Sequence, residues 1–542
     1  MSEALFQQPV RCEGLWRSVS GPYSALHRFA HADTLMAESA RSVNVFRTCF
    51  GSKPLHCITL AGIALILSQC TTSESAVRTS ASPDQPWAPE GDTGGDFSVR
   101  RDIADVETAA PVKPGGALGL PELIDLGQRS NPATRIAWQE ARQAAAGVGI
   151  IEGTFLPVIT ANIVGGVQDI VTPLPTLTGG TDYVSTTSRA VVPNLTLAWL
   201  IFDFGERQAL KDAAEDIALA ANVKFNATHQ ALIYNITRAY YLHGAAQAHL
   251  DIARQTRRNS LELQEAAEER FRSGLGTSLE TAQANQLVAQ SKFRLVMAED
   301  RLNDAYQDLL GAVGVAPSSD IRVKTATTRR LPRAQAVAGD RLVREALARR
   351  PDVLAAYSAV KASESNQRAV EASFSPKVYL GAVAAANSGR IQTGSLPGLG
   401  VQGAGTGVFL GLSLPLYDGQ IRENRLRQAE SATELASATY EQVTNAASRE
   451  IILANTALRS ALAAYEAASE LRRAAQTSFD ATFEAYRNGL GTLTAVSVAD
   501  SALLDAREAQ ADAHATALIA AATLAFVLGN MTSRDAPARA IR

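Results

Sequence analysis

Bulky apolar residues fall at every second position in two short stretches of this chain. Leu195, Leu197, Trp199 and Ile201 share one face of the run from Asn194 to Phe202. Val408, Leu410, Leu412, Leu414 and Leu416 do the same in the run from Gly407 to Tyr417, while Thr196, Ala198, Gly411 and Ser413 take the opposite faces. Alternate residues of a strand point to opposite sides, so both runs read as β-strands with one apolar and one small or polar face. Each follows a Gly/Thr/Pro-rich loop and an earlier strand-like run, Val158 to Val171 and Val378 to Ala386.

The rest of the body is Ala-rich and charge-patterned, and it passes through one programme twice. Short helices starting at Leu120 and Asp340 break at Asn131-Pro132 and Arg350-Pro351, because proline cannot continue a helix. The next helices end at Phe155-Leu156-Pro157 and Phe374-Ser375-Pro376, and both proline pairs are 219 residues apart. After the strands come matched turns, Phe202-Asp203-Phe204-Gly205 and Tyr417-Asp418-Gly419, now 215 apart. The four-residue slip therefore falls in the strand loops, where length changes are tolerated.

Long helical segments follow, and each is interrupted by the same signature. Phe271-Arg272-Ser273-Gly274-Leu275-Gly276-Thr277 and Tyr486-Arg487-Asn488-Gly489-Leu490-Gly491-Thr492 are again 215 apart. The glycines can end one helix and the threonine can cap the next, which makes two helical hairpin tips. Gly205 to Gly274 covers 69 residues, roughly 100 Å of helix at ~1.5 Å per residue. The return helix, Ser278 to about Leu310, is half as long and is expected to be completed by Asp340 to Ser373 stacked on its end. In the second half, Gln420 to Asn488 pairs with Leu493 to Leu528, completed by Leu120 to Gly153. Gly314 to Gly339 is expected to cross between the halves outside the rods.

Composition narrows the function. With 19% charged residues and a net charge of −3 the chain lacks the basic excess of a nucleic-acid binder, and 6% aromatics suit closely packed Ala-rich helices. All four cysteines, Cys12, Cys49, Cys57 and Cys70, precede the body, which excludes a disulfide framework there. Ile58 to Leu67 is an apolar run of ten, too short for a membrane helix and right for a signal-peptide core. Leu67-Ser68-Gln69-Cys70 resembles a bacterial lipoprotein signal that would lipidate Cys70; Gln69 departs from the usual small residue, and Met36 is an alternative start. Residues 1–70 thus read as export signal, 71–116 as a flexible tether, 117–335 and 336–530 as the two repeats, and 531–542 as a tail.

Apolar-out, small-in strands behind an export signal favour an outer-membrane β-barrel over a soluble sheet. Four strands cannot close a barrel, and open edges are prohibitive in lipid, so closure requires several copies; three chains give twelve strands.

The doubled tip, the doubled proline-plus-strand entry and the doubled strand exit together resemble the outer membrane efflux protein family, the TolC-like channel-tunnels, over about Leu120 to Asn530. The resemblance implies an α+β membrane protein. It further implies a homotrimer with a twelve-stranded outer-membrane barrel, four strands per chain, continued by a long periplasmic α-helical barrel. It also implies a passive exit duct of a tripartite efflux pump or type I secretion system. A periplasmic adaptor docks on the tips, and an inner-membrane transporter of RND or ABC type supplies the energy. Contact with the adaptor falls to Arg272, Gly274, Leu275, Gly276 and Thr277 and to Arg487, Gly489, Leu490, Gly491 and Thr492. Asp500 would line the pore constriction, with Ser497 where a second acid is common and Asn285 at the equivalent place in the first repeat. Neither cofactor nor metal nor catalysis is implied.

The alternative class is a periplasmic coiled-coil scaffold with the strands as a soluble cap. A helical-bundle enzyme finds no residue constellation. Gly398-Leu399-Gly400-Val401-Gln402-Gly403 matches a dinucleotide fingerprint formally, but it precedes a strand and is expected to be a flexible loop. His229, His243 and His514, and Tyr240-Tyr241, read as packing or surface positions.

Overall fold

The computed structural model describes residues 111–113, 115–175, 179–324, 330–332 and 340–531. Cys70, the signal region and the 532–542 tail lie outside them. Four strands and eight helices are described: α1 (Leu120–Ser130), α2 (Pro132–Gly153), β1 (Val158–Pro175), β2 (Thr181–Phe202), α3 (Glu206–Arg272), α4 (Ser278–Val313), α5 (Asp340–Leu347), α6 (Pro351–Ala372), β3 (Lys377–Thr393), β4 (Leu399–Ser413), α7 (Ile421–Arg487) and α8 (Leu493–Val527). The repeats do not separate; the chain from Glu107 onward is one compact unit.

All four strands form one antiparallel sheet in the order β1-β2-β3-β4. Leu195, Leu197 and Trp199 of β2 lie opposite Ala384, Ala382 and Leu380 of β3, which in turn face Thr406, Val408 and Leu410 of β4. The apolar faces of the two repeats are therefore one face. The small face is not uniformly small. The rings of Tyr379 and Phe409 cover Gly411 and Gly381, directly opposite on the neighbouring strand, where a Cβ would run into them.

Several strand limits differ from expectation, most of all the start of β2, which begins at Thr181 and not at Asn194. β1 and β3 run on to Pro175 and Thr393, because pairing with β2 continues past the runs expected at Val171 and Ala386. β4 ends at Ser413, so Leu414 and Leu416 lie beyond it, on the way to α7. Leu399 to Gly403 is strand, paired through Asn387 to Ile391, and not a loop; its glycines suit a sheet in which Asn387 leans across Gly403.

The helices stack in the reverse of the expected sense. α2 lies on the end of α4, and α6 on the end of α8, so each repeat completes its own return helix. Gly314 ends α4 with φ +80°, and a Cβ there would sit 2.8 Å from the Asn131 Cα. Asn131 caps α2 by accepting from the Ala133 amide at 2.9 Å, and its Nδ2 donates to the Ala312 carbonyl at 3.2 Å. At the corresponding joint Gly529 presses on the Arg349 carbonyl, Arg350 donates to the Val527 carbonyl at 3.4 Å, and its guanidinium pairs with Asp352 and Glu450 at 2.6 and 2.7 Å. The last carbonyls of a helix have no partners inside it, so a polar side chain beside each Asn-Pro or Arg-Pro break holds the incoming end.

α2 runs along α3, and α6 lies between α3 and α7. Leu123, Ile236, Leu309, Val313 and Ala522 form the main core, and Ile321 joins it. Residues after Gly314 are thus not wholly outside the rods. Val315, Ala316 and Ile321 are buried, Tyr306 Oη accepts from the Ile321 amide at 2.8 Å, and Leu118 bridges to Val323. Val112, expected inside the tether, donates its amide to Ser319 Oγ at 3.1 Å. α8 is long and apolar enough to cross a membrane, with a mean hydropathy of 1.2. It spends that character on packing: Leu503, Leu518, Ala521 and Leu524 are buried against α7 and α3.

Candidate functional site

Both hairpin tips are built by the same backbone device. Gly274 and Gly489 take φ of +73° and +75°, a region open to glycine at no steric cost. Leu275 and Leu490 amides then donate back to the carbonyls of Arg270 and Ala485, each at 2.8 Å. Gly276 and Gly491 are needed for space: a Cβ would lie 3.0 Å from the Phe271 amide nitrogen in one tip and 3.1 Å from that of Tyr486 in the other. Thr277 and Thr492 cap the return helices, their hydroxyls accepting from the amides of Glu280 and Ala495 at 3.2 and 3.3 Å. Leu275 and Leu490 are left 73% and 86% exposed at the apex.

The tips are not equivalent. Tyr486 is fully buried, while Phe271, its counterpart, is 49% exposed. Arg270 makes the difference. Its guanidinium lies 4.9 Å from the Tyr486 ring centre and donates to the Tyr486 carbonyl at 3.0 Å and to the Leu275 carbonyl at 3.2 Å. The residue 215 positions later is Ala485, so this clamp is made once and joins the two tips. Behind it Leu263, Ala267, Ala284, Phe479, Leu493 and Val496 form a shared apolar cluster. Arg272 is exposed, and Arg487 lies 3.7 Å from Glu484.

Along the seam between the hairpins, α3 meets α8. Asp500 is half-buried there and accepts from Asn259 Nδ2 at 3.1 Å. Burial pushes its carboxyl above the ordinary range, against the pull of the Asn259 hydrogen bond and of Arg507 and Arg294. Asn285 instead bonds within its own hairpin, accepting from Gln264 at 2.7 Å, and Ser497 is half-buried. Higher on the same seam His249 Nε2 lies 2.6 Å from Asp512 Oδ1, and its Nδ1 lies 4.0 Å from Glu508. The Asp512 hydrogen bond raises the His249 pKa; burial opposes it, the Asp512 and Glu508 charges add to it, and Arg301 subtracts. A raised folded value means that the bridge's contribution is complete below the ordinary histidine value of 6.5 and is lost as pH rises through the folded value. Thermal stability of the wild-type protein is therefore expected to decline from neutral to mildly alkaline pH. His249→Gln should flatten that stretch of the profile, as measured by light scattering or circular dichroism melts.

Comparison with known proteins fits this geometry. Residues 123–315 and 342–530 match the sequence profile described as outer membrane efflux protein. The chain belongs to the outer membrane efflux protein family. Protein CyaE of Bordetella pertussis is 26% identical over 415 residues, 75% of this chain and 84% of the relative. The pyoverdine export outer membrane protein OpmQ of Pseudomonas putida is 26% identical over 436 residues, 78% and 87% respectively. A crystal structure of CusC superposes with a TM-score of 0.63 at 19% identity, covering 78% of this chain and 98% of that one, which establishes the shared fold. The efflux family is one of outer-membrane channel proteins, and this chain is the outer-membrane channel of an efflux or secretion system.

For an outer membrane efflux protein the joint between sheet and rod matters as much as the tip, and sequence reading missed its chemistry. Asp203 accepts from the Arg207 Nε at 2.7 Å and from the Arg207 amide at 3.1 Å, while the guanidinium lies 4.7 Å from the Phe155 ring centre. Asp418, Arg422 and Phe374 repeat this at 2.8, 3.2 and 5.0 Å. The doubled Asp-x-x-x-Arg spacing is visible in the sequence. The aromatic lid is not, since it arrives from the turn after a helix, about fifty residues upstream. His249 and Asp512, on different hairpins, share no local signal at all. Among the described residues no group of His, Cys, Asp and Glu is placed to hold a metal.

Proposed function

We propose that the protein is a trimeric exit duct in which three four-stranded sheets close a twelve-stranded barrel, and the helices of three chains form a periplasmic tunnel. One observation carries this reading: the sheet has two open edges, β1 and β4, and an apolar face left bare. Ile163, Val167, Val408 and Leu410 are all exposed on that face. Unpaired edges cannot stand in lipid, and a bare apolar face this large is not stable in water. Closure by neighbouring copies removes both problems at once. The test is heat-modifiable trimer migration of outer-membrane fractions, with channel conductance in planar bilayers; a soluble monomer would leave only the periplasmic scaffold.

The exposed Leu275 and Leu490, with Arg272 and Arg487 beside them, are the proposed docking points for the periplasmic adaptor. An RND or ABC transporter in the inner membrane supplies the energy. Relatives include a pyoverdine export outer membrane protein and a cation efflux system protein, so different cargoes leave through similar chains, and the substrate here is taken to follow from the transporter that is engaged. Cys70 is proposed as a lipid anchor, and Cys70→Ser is expected to abolish incorporation of labelled palmitate while leaving trimers intact. Asp500 is the proposed charge at the constriction. With three copies converging, Asp500→Asn should lower cation over anion selectivity in reversal-potential measurements. Unchanged selectivity would leave Asp500 as a seam residue bonded to Asn259.

A further inference from the structure

On the apolar face of the sheet the pattern breaks abruptly along β2. Reading β2 away from the helices, Trp199, Leu197, Leu195, Pro193 and Val191 give way to Arg189. Arg390 of β3 lies directly opposite Arg189. Like charges directly opposed across a strand pair are destabilising. Both side chains are exposed, and neither has a carboxylate within 4.0 Å among the described residues. Asp169 stands on the same face one pair further along β1, opposite Thr187, and makes no ion pair with either. Gly398 leaves room for the stem of Arg390, since a Cβ there would lie 3.0 Å from the Arg390 Cδ.

The position of the row is informative. Trp199 sits at the helix-proximal end and donates its indole N–H to the Phe155 carbonyl at 2.8 Å. Ten residues separate it from Arg189, about 33 Å along a strand. At a tilt of roughly 40° that is about 25 Å of height, the thickness of the apolar band of an outer-membrane barrel. The two guanidiniums then stand at the far lipid–water boundary, the outer leaflet, with Val167 exposed beside Arg189 in the same row and Val191 exposed just below it on the same face. Ser388 and Gln392 flank Arg390 on that face.

We infer that Arg189 and Arg390 form a binding site for the phosphate groups of an anionic lipid in the outer leaflet, with its acyl chains lying against Val191 and the apolar face below it. This rests on the barrel reading above. Arginine binds phosphate through paired N–H donors, and a phosphate between the two guanidiniums turns an unfavourable like-charge pair into a bridged one. A trimer carries three such sites.

The experiment uses the full-length trimer, purified in detergent and titrated with diphosphoryl lipid A under native mass spectrometry. The probes compared are lipid A with its phosphates removed and a glucosamine phosphate without acyl chains. Wild-type protein is expected to hold the diphosphoryl lipid roughly tenfold to thirtyfold more tightly than the dephosphorylated one, from about 1 kcal/mol per arginine at a charged lipid surface. Arg189→Gln with Arg390→Gln should remove that preference, and Arg189→Lys with Arg390→Lys should retain part of it. Equal binding of both lipids by the wild-type trimer overturns the site whatever the variants do. Equal competition by the acyl-free phosphate would assign the arginines to a soluble anion and overturn the lipid. A conducting trimer with no phosphate preference fails this inference alone, whereas absence of a trimer fails the duct reading and this inference together.

Discussion

Replacing Arg207 by Ala is expected to cost about 3–5 kcal/mol, enough to prevent trimers from accumulating. The Asp203 and Arg207 side chains are only 7% and 9% exposed, so truncating the arginine leaves a carboxylate buried without its partner. It also strips the Phe155 ring of its cover and the Thr154 carbonyl of a donor at 2.9 Å. A domain stable by about 5–15 kcal/mol has little margin for such a loss. The second joint provides an internal control. Asp418 and Arg422 are 24% and 11% exposed, so water can solvate an orphaned partner. Arg422→Ala should therefore cost less, about 1–2 kcal/mol. The double replacement Asp203→Asn with Arg207→Met should recover part of the loss, because no buried charge remains. The measurement is the temperature at which SDS-resistant trimers dissociate. Equal effects at the two joints would show that burial does not set their contribution.

Leu490→Asp is expected to abolish export while leaving the trimer intact. Leu490 is 86% exposed at an apex held by glycine geometry and the Thr492 cap, so the fold does not depend on its side chain. An exposed leucine central to an interface is a different matter. Loss of such an anchor costs 2 kcal/mol or more, at least about thirtyfold in affinity, and a buried carboxylate adds to this. Leu275→Asp, at 73% exposure, should act in the same direction. Adaptor affinity, measured by surface-immobilised binding, and sensitivity of cells to the exported compound provide the readouts. Wild-type affinity in both variants would move docking off the apex. Arg270→Ala separates the two roles of the tip. It removes the clamp between hairpins without altering either apex leucine, so it should change conductance before it changes adaptor binding.

Sequence pattern was sufficient for the elements because their causes are local. Asn-Pro and Arg-Pro breaks, Gly-Leu-Gly-Thr tips and alternating strands each fix the backbone within a few residues, and the helices begin and end within a few positions of those signals. Duplication then supplied the long-range plan, since two copies of one programme must fold alike. The extent of all four strands escaped the sequence because a paired strand continues for as long as its neighbour offers amides and carbonyls, whatever its hydrophobicity. Leu399 to Gly403 illustrates this: glycines that read as a loop are strand where Asn387 to Ile391 provides the partner.

By itself the sequence determined a twice-repeated chain of strands and rods, the place and chemistry of both tips, and the family those features mark. Those follow from torsional preferences and periodicity, which every residue carries with it. Only the tertiary structure decided which helix completes which rod, and that Arg270 joins the tips where Ala485 cannot. It also decided that His249 meets Asp512 across the seam and that Arg189 faces Arg390. Each of these joins residues distant in the chain, and their meeting depends on how the elements pack, which no local preference encodes.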